Sequence, residues 1–196
     1  MVFARWRLNT CPFAGGSVRG IVANYLGYKY TGIDIRKEQV DSNIEQGRLI
    51  LGENTPNWII GDSNKILDTI DQKYDMVFSC PPYADLEVYS DLDGDISNMP
   101  YDDFLVAYES IIRKSCDKLK PGGYAIFVVG EVRDKKGYYY GFVPDTYQCF
   151  KNAGLRLYNE AILSISLASA ALRAVNNMKN KKLVKVHQNI LIFIKP

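Results

Sequence analysis

The sequence predicts an α/β fold in which a mostly parallel sheet of seven strands is covered by helices on both faces. Near-continuous apolar runs alternate with helical patterns along the chain, and strands of that kind are typical of sheets that are buried on both sides. The last two apolar runs form a hairpin-like pair, which predicts one antiparallel strand at the edge of the sheet. A chain of 196 residues can bury a sizeable core, so residues 1–196 are predicted to form a single domain.

The first part of the chain alternates four strands with three helices. Short apolar runs that end at glycine, aspartate or proline predict strands, and apolar residues that recur every three or four positions predict helices. The strands are predicted at residues 8–13, 28–35, 57–61 and 74–79, and the helices at residues 18–26, 36–48 and 63–70. In the first helix the apolar residues that fit one face are Val18, Ile21, Val22, Tyr25 and Leu26.

The second part begins with an acidic connection, residues 84–99, which carries acidic residues at 85, 87, 91, 93 and 95 and no Lys or Arg. The most regular helix follows at residues 100–120, and its shared face is Phe104, Tyr108, Ile111, Ile112 and Leu119. Pro121-Gly122-Gly123 is predicted to end that helix before a strand at residues 124–129. A helix at 143–153, a strand within 155–167, a basic segment at 168–188 and a last strand at 189–195 complete the chain.

The composition excludes several classes of protein. No run of eighteen apolar residues occurs, so neither a membrane span nor a membrane partner is predicted. The four cysteines are scattered and only one histidine is present, which argues against a metal site and favours the reduced thiols of a cytoplasmic protein. A net charge of +2 is too small to indicate a nucleic-acid partner by itself.

Small, acidic or aromatic groups follow five successive strands. Because the carboxyl ends of parallel strands meet at one edge of a sheet, these groups are expected to line one crevice. They are Gly15 and Gly16, Asp34, Asp62, Cys80 to Tyr83, and Glu131 with Arg133. A tight turn, a strand-end acid or a helix cap explains each of them alone. Together they favour a nucleoside-containing ligand, because glycines let a ligand approach the backbone and an acid nineteen residues further on can bind ribose hydroxyls.

The fourth strand stops at Cys80-Pro81-Pro82-Tyr83. Proline has no N–H group to continue a ladder, so the turn read alone is a strand terminator. As one of several strand ends that face the same crevice, it is instead suited to holding a planar group against the ring of Tyr83.

The ordered motifs of the chain resemble those of the S-adenosylmethionine-dependent DNA amino-methyltransferases, most of all the stand-alone methylases of phages and prophages. They are Phe13-Ala14-Gly15-Gly16, Gly32-Ile33-Asp34, Gly61-Asp62, Cys80-Pro81-Pro82-Tyr83 and Leu119-Lys120-Pro121-Gly122-Gly123. The resemblance implies a Rossmann-like class I methyltransferase fold with a reversed last strand, and a place in the cytoplasm of a bacterial or phage-infected cell. It also implies methylation of adenine N6 or cytosine N4 in DNA.

The resemblance also implies a role for each matched residue. Phe13, Gly15 and Gly16 would line the methionine part of the cofactor S-adenosylmethionine, Asp34 would hold the ribose, and Asp62 would hold the adenine ring or merely cap the next helix. The catalytic group would be Cys80, Pro81, Pro82 and Tyr83, in which the turn accepts a hydrogen bond from the target amine and Tyr83 stacks on the extruded base.

Three departures from the family pattern keep other functions open. Cys80 stands where the family usually has Asp, Asn or Ser, and Cys11 replaces a common Asp. A thiol is a weak acceptor, so backbone carbonyls and Ser79 must suffice or activity is reduced. About ten residues precede the first motif, so the helix that often packs over the cofactor has no evident counterpart. The alternatives are an RNA or protein-glutamine methyltransferase, and a degenerate copy that binds DNA or cofactor without catalysis.

Contacts with DNA are predicted in two stretches that combine positive charge with aromatic rings or with a run of lysines. Lysine and arginine there would bind phosphates. The candidates are Arg133, Lys135, Lys136, Tyr138, Tyr139, Lys181 and Lys182. A solvated surface loop is the alternative for each stretch. The sequence leaves the oligomeric state open, with a homodimer as one option.

Overall fold

The computed structural model describes residues 8–83, 88–165 and 168–196, and within them a seven-stranded sheet. The strands are β1 Leu8–Cys11, β2 Lys29–Asp34, β3 Asn57–Ile60, β4 Tyr74–Ser79, β5 Leu119–Val129, β6 Arg156–Ser164 and β7 His187–Ile194. They lie side by side in the order β3-β2-β1-β4-β5-β7-β6. The predicted α/β fold is confirmed. The predicted acidic residues Asp85 and Glu87 lie outside the described residues.

The reversed strand is not at the edge of the sheet, which differs from the expectation stated above. β7 pairs antiparallel with β5 on one side and with β6 on the other, so β6 is the edge strand. In the hairpin-like pair the second strand, β7, is therefore the inner one. It carries the apolar residues Leu191 and Phe193, which pack into the core.

Strand β5 starts earlier than predicted. Tyr74 pairs with Leu119 and Met76 pairs with Tyr124, so the intervening residues of β5 form an irregular, bulged start. Pro121-Gly122-Gly123 therefore lies within the strand instead of separating it from the preceding helix, and a bulge is where a sheet tolerates both proline and glycine.

Six α-helices connect the described strands. They are α1 Val18–Tyr25, α2 Lys37–Leu51, α3 Ser63–Thr69, α4 Tyr101–Asp117, α5 Phe142–Asn152 and α6 Ala168–Lys179, with a short 3₁₀ turn at Ile96–Asn98. The basic segment before β7 thus begins with a helix that the sequence did not predict. None of the helices in the described part of the chain is both long enough and apolar enough to span a bilayer.

The helices bury two apolar clusters, one on each face of the sheet. Tyr30 and Ile33 point to opposite faces of β2, since side chains alternate along a strand. The Ile33 side holds the larger cluster, which α4 and α5 cover with Phe104, Tyr108 and Phe150. Four residues of the predicted face of α4 are buried as expected, whereas the fifth, Leu119, belongs to β5.

Of the five residues on the predicted apolar face of the first helix, Ile21 alone is buried. Val18 and Tyr25 are 70% and 77% exposed, whereas Gly20 and Ile21 turn towards the sheet. A Cβ atom on Gly20 would lie 2.8 Å from the Trp58 ring. The helix presents its glycine to the sheet because close approach to Trp58 and Tyr30 needs a position without a side chain.

Candidate active site

The carboxyl ends of β1, β2, β3 and β4 surround a cavity of about 350 Å³, a volume typical of ligand pockets. Every residue predicted to bind the cofactor or to act on the base lines this cavity. These residues are Phe13, Gly15, Gly16, Asp34, Asp62, Cys80, Pro81, Pro82 and Tyr83. Residues from four separate strand ends therefore meet in one place.

The glycine turn after β1 is held by Asp34. The Gly15 N–H donates to Asp34 Oδ2 at 2.8 Å, and the Arg36 N–H donates to Oδ1 at 2.9 Å. Gly15 has a φ of 55°, which favours glycine, and its carbonyl accepts from Asn43 Nδ2 at 2.7 Å. Burial raises the pKa of Asp34, although the two N–H donors favour its ionised form. The carboxylate is thus fixed with its remaining lone pairs beside the cavity.

Asp62 caps the next helix and also lines the cavity. Its Oδ1 accepts from the Asn64 N–H at 2.8 Å at the start of α3. A Cβ on Gly94 would lie 3.2 Å from Asp62 Oδ2, so the backbone of the acidic connection passes directly over this carboxylate.

The turn at Cys80–Tyr83 is hydrogen-bonded to β7, which lies two strands away from β4 in the sheet. Gln188 Nε2 donates to the Tyr83 hydroxyl at 2.5 Å, and the Cys80 Sγ lies 4.0 Å from the same hydroxyl. The Tyr83 ring meets Phe142 edge-on with centroids 5.7 Å apart. Burial raises the pKa of Tyr83 well above its usual range, so the phenol is neutral at pH 7.

Neither Ser79 nor Cys11 takes part in the cavity. Ser79 is fully buried and its hydroxyl lies 3.1 Å from the Cys11 thiol, which is also fully buried. Ser79 is therefore not placed to provide the oxygen acceptor that Cys80 lacks. The side chain at the family's usual acceptor position is the half-buried Cys80 thiol alone.

Sequence reasoning missed several cavity residues. Arg19, Arg36 and Gln39 line the wall near Gly15 and Asp34, and the acidic connection contributes Tyr89 and Asp95. Asp95 is buried and accepts from the Ser97 N–H at 2.9 Å. The signal available for Arg19 was its position one helical turn after the glycine turn. The acidic connection offered no such signal in its local sequence pattern.

The two basic stretches lie together and close to the turn. Arg133 pairs with Tyr139 in a small hairpin, residues 132–140, and its guanidinium lies 3.7 Å from the centroid of the Tyr139 ring. Lys135, Lys136 and Tyr138 are exposed at its tip, and Lys182 packs against Gly137, while the exposed Lys181 follows the end of α6. A Cβ on Gly130, just before the hairpin, would lie 3.7 Å from the Tyr83 hydroxyl.

Known structures with similar folds identify the class of fold. A magnesium protoporphyrin IX methyltransferase (ChlM) from Synechocystis PCC 6803, solved with bound SAH, matches with a TM-score of 0.64 and 14% identity over 97% of this chain and 74% of its own. TrmN from Thermus thermophilus matches with a TM-score of 0.63 and 13% identity over 97% of this chain, which spans 44% of the length of TrmN. The chain therefore has the Rossmann-like fold of class I methyltransferases.

One structural neighbour bears a name that matches the resemblance found in the sequence. A second protein of Thermus thermophilus, provisionally named a DNA modification methylase, matches with a TM-score of 0.51 and 22% identity. The match covers 69% of this chain and 52% of that protein. No protein-family model and no curated protein sequence matches the chain.

Proposed function

We propose that this protein transfers a methyl group from S-adenosylmethionine to the exocyclic amino group of a DNA base, adenine N6 or cytosine N4. The observation that carries the proposal is the single cavity in which the Cys80–Tyr83 turn meets the glycine turn and Asp34. A methyl donor and a planar acceptor need adjoining sites, and this cavity offers a nucleoside-type site next to an aromatic turn.

The cavity suits S-adenosylmethionine on three counts. Gly16 lines the wall, and no atom lies within 4 Å of the place where its Cβ would stand, so the backbone forms an open cradle. Asp34 presents a fixed carboxylate for ribose hydroxyls, and Asp62 lines the same cavity and would accept from the adenine amino group. When bound, the cofactor supplies an electrophilic methyl group on its sulfonium.

The residues of the turn would activate the amine of the acceptor base and hold the base by stacking. An exocyclic amine is a weak nucleophile because its lone pair is delocalised into the ring. A carbonyl of the proline turn that accepts a hydrogen bond in the plane of the amine helps to localise that lone pair. Tyr83 offers an aromatic ring on which an extruded base can stack, and Gln188 and Phe142 hold that ring in position.

The basic hairpin and Lys182 support DNA as the partner. They place exposed cations and tyrosines beside the turn that would receive the base, and phosphate contacts there would hold the duplex while one base is flipped. Arg133 stacks on Tyr139 and donates to the Gly137 carbonyl at 2.7 Å, so the hairpin presents its charges in a defined arrangement.

Incubation with radiolabelled S-adenosylmethionine and DNA, RNA or protein, followed by analysis of the product nucleosides, tests the proposal. We expect label in N6-methyladenine or N4-methylcytosine. Label confined to RNA or to glutamine would refute the DNA assignment. Tyr83→Ala is the matched variant: it should abolish transfer but still bind the cofactor product S-adenosylhomocysteine, because Tyr83 belongs to the base site.

A second candidate is a degenerate methylase that binds DNA or cofactor without transfer. The Cys80 thiol favours it, since a thiol is a weak hydrogen-bond acceptor and the buried Ser79 does not line the cavity. Tight binding of S-adenosylhomocysteine with no label in any product would select this candidate.

A further inference from the structure

Arg19 is a cation in the cavity wall that lacks a counterion in the described part of the chain. Its Nη2 donates to the carbonyl oxygens of Phe13 and Ala14 at 2.8 and 2.6 Å. Its Nε is buried and has no hydrogen-bond partner among the described residues, and the ion pairs formed there do not include it. Neutral carbonyl oxygens therefore hold the half-buried guanidinium, and its positive charge can still pair with an anion that enters the cavity.

The surroundings of Arg19 locate that anion. The side chains that interact with its guanidinium are Cys11, Tyr30 and Cys80, none of which is a carboxylate. The guanidinium is hydrogen-bonded to the carbonyl of Ala14, next to Gly15, and Arg19 and Cys80 line the same cavity.

The other charged groups of the cavity disfavour the binding of an anion at any part of the wall away from Arg19. Asp34, Asp62 and Asp95 line the remaining wall and would repel it. The second cation of the lining, Arg36, donates to Gln39 Oε1 at 2.9 Å and lies over the Tyr89 ring, on the side of Asp34. The cavity thus has a positive end at Arg19 and an acidic remainder.

We infer that Arg19 binds the carboxylate of the amino-acid end of S-adenosylmethionine and thereby selects the intact cofactor over analogues that lack this group. The inference rests on the proposed function and names a binding residue that the motifs did not include. Asp34 would hold the ribose, so the amino-acid end would extend along the glycine turn towards Arg19. A phosphate of the flipped nucleotide is the other anion with suitable chemistry, and the experiment separates the two.

Isothermal titration with three ligands tests the inference without any catalytic readout. The ligands are S-adenosylhomocysteine, its decarboxylated analogue and dAMP. We expect the natural protein to bind S-adenosylhomocysteine about ten- to a hundredfold more tightly than the decarboxylated analogue, as for one charge-assisted hydrogen-bonded pair. Arg19→Met should remove this preference and leave the affinity for the analogue unchanged, and Arg19→Lys should retain part of it. Arg113→Met is the matched control and should leave the preference intact, because Arg113 is exposed on α4 and does not line the cavity.

Each other outcome overturns the inference in an identifiable way. An Arg19→Met variant that weakens both adenosyl ligands equally would show that Arg19 only supports the carbonyls of the glycine turn. A selective loss of dAMP affinity would assign the anion to a phosphate. If the natural protein binds both adenosyl ligands equally, the inference fails while the proposed function stands. If it binds neither, the proposed function fails too. If Arg19→Met does not fold, the ligand preference of the natural protein compared with that of Arg19→Lys still tests the inference.

Discussion

Cys80 is the residue on which the chemistry of this site depends most. Its sulfur stands at the carboxyl end of β4, half-buried, within reach of Tyr83 and of Arg19. Oxygen accepts hydrogen bonds better than a neutral thiol does, so the amine of a bound base would be less activated here than beside Asp or Ser.

Cys80→Asp is therefore expected to keep or raise the rate of methyl transfer, by up to about 10- to 100-fold for one added acceptor. The measurement is single-turnover transfer to DNA with saturating cofactor. Cys116→Ser is a control for the loss of a thiol, because Cys116 is buried in the core away from the cavity. Loss of all activity in Cys80→Asp with the fold intact would remove Cys80 from the amine-contacting position.

Asp34 gives the site a pH dependence. Burial raises its pKa above the ordinary value of 3.8, and the nearby Asp95 adds to the rise, while the Arg36 and Gly15 N–H groups and the Arg36 charge oppose it. Ribose hydroxyls donate best to the ionised form. We expect the affinity for S-adenosylhomocysteine to fall as the pH decreases through this raised pKa, nearer to neutrality than for an ordinary aspartate.

Titration calorimetry between about pH 7 and about pH 4, on either side of the usual range of a raised aspartate pKa, measures this fall. Asp34→Asn should bind more weakly at pH 7 with a flatter profile. The weaker binding at low pH is not explained by unfolding that the titration of Asp34 causes. An acid whose pKa is higher in the folded state destabilises the fold when ionised, and that penalty disappears as the pH falls. An unchanged profile in Asp34→Asn would assign the titration to another group.

At the scale of the helices and strands, α1 and the turn before it show that two glycines serve different purposes. Gly20 faces Trp58 and Tyr30 with no room for a methyl group, whereas Gly16 faces the open cavity. The helix glycine therefore belongs to the packing of the core, and the turn glycine belongs to the candidate site.

Gly20→Ala should lower the free energy of unfolding by up to about 2.5 kcal/mol, because overpacking costs about 1–3 kcal/mol and the better helix propensity of alanine recovers about 0.5–1 kcal/mol. Gly16→Ala should leave stability within about 0.5 kcal/mol and weaken the binding of S-adenosylhomocysteine. Urea unfolding and calorimetry measure the pair. Equal effects of both variants on stability would contradict the assignment of Gly16 to the cavity.

The hairpin at residues 132–140 should contribute salt-dependent affinity for DNA. Replacing Lys135 and Lys136 together by Gln is expected to reduce the slope of log K against log salt by about 0.9 for each phosphate that is no longer neutralised. Lys29→Gln is the matched control, because Lys29 is exposed at the opposite, amino-terminal end of β2. Identical slopes in the natural protein and the double variant would exclude the hairpin from the DNA interface.

At the scale of the whole molecule, ligand binding should stabilise a single cooperative unit. If residues 1–196 form one domain, S-adenosylhomocysteine at about a hundred times its Kd adds about 2.7 kcal/mol to the free energy of unfolding. For a chain of this size that raises Tm by about 5 to 11 °C. Differential scanning calorimetry measures it, and two separate transitions, with only one of them shifted, would contradict the single domain.

The order of strands and helices could be predicted from the sequence because it depends on local periodicity. The run from β1 to β4 is correct within a few residues, since each strand ends at a glycine, aspartate or proline that stops it. The errors occur where local signals conflict with packing. Pro121-Gly122-Gly123 is tolerated inside β5 by a bulge, and α1 turns its glycine to the core although Val18 and Val22 look more apolar.

The sequence by itself determined which residues gather at the candidate site, because parallel strands deliver their carboxyl ends to one edge whatever the details of packing. The tertiary structure decided what surrounds them. Gln188 reaches Tyr83 across 105 positions of the chain, and the acidic connection folds back over Asp62. In the described part of the chain it also left the half-buried Arg19 without a carboxylate partner. Such contacts join segments that are distant in sequence, and burial and side-chain direction, which local patterns do not encode, determine them.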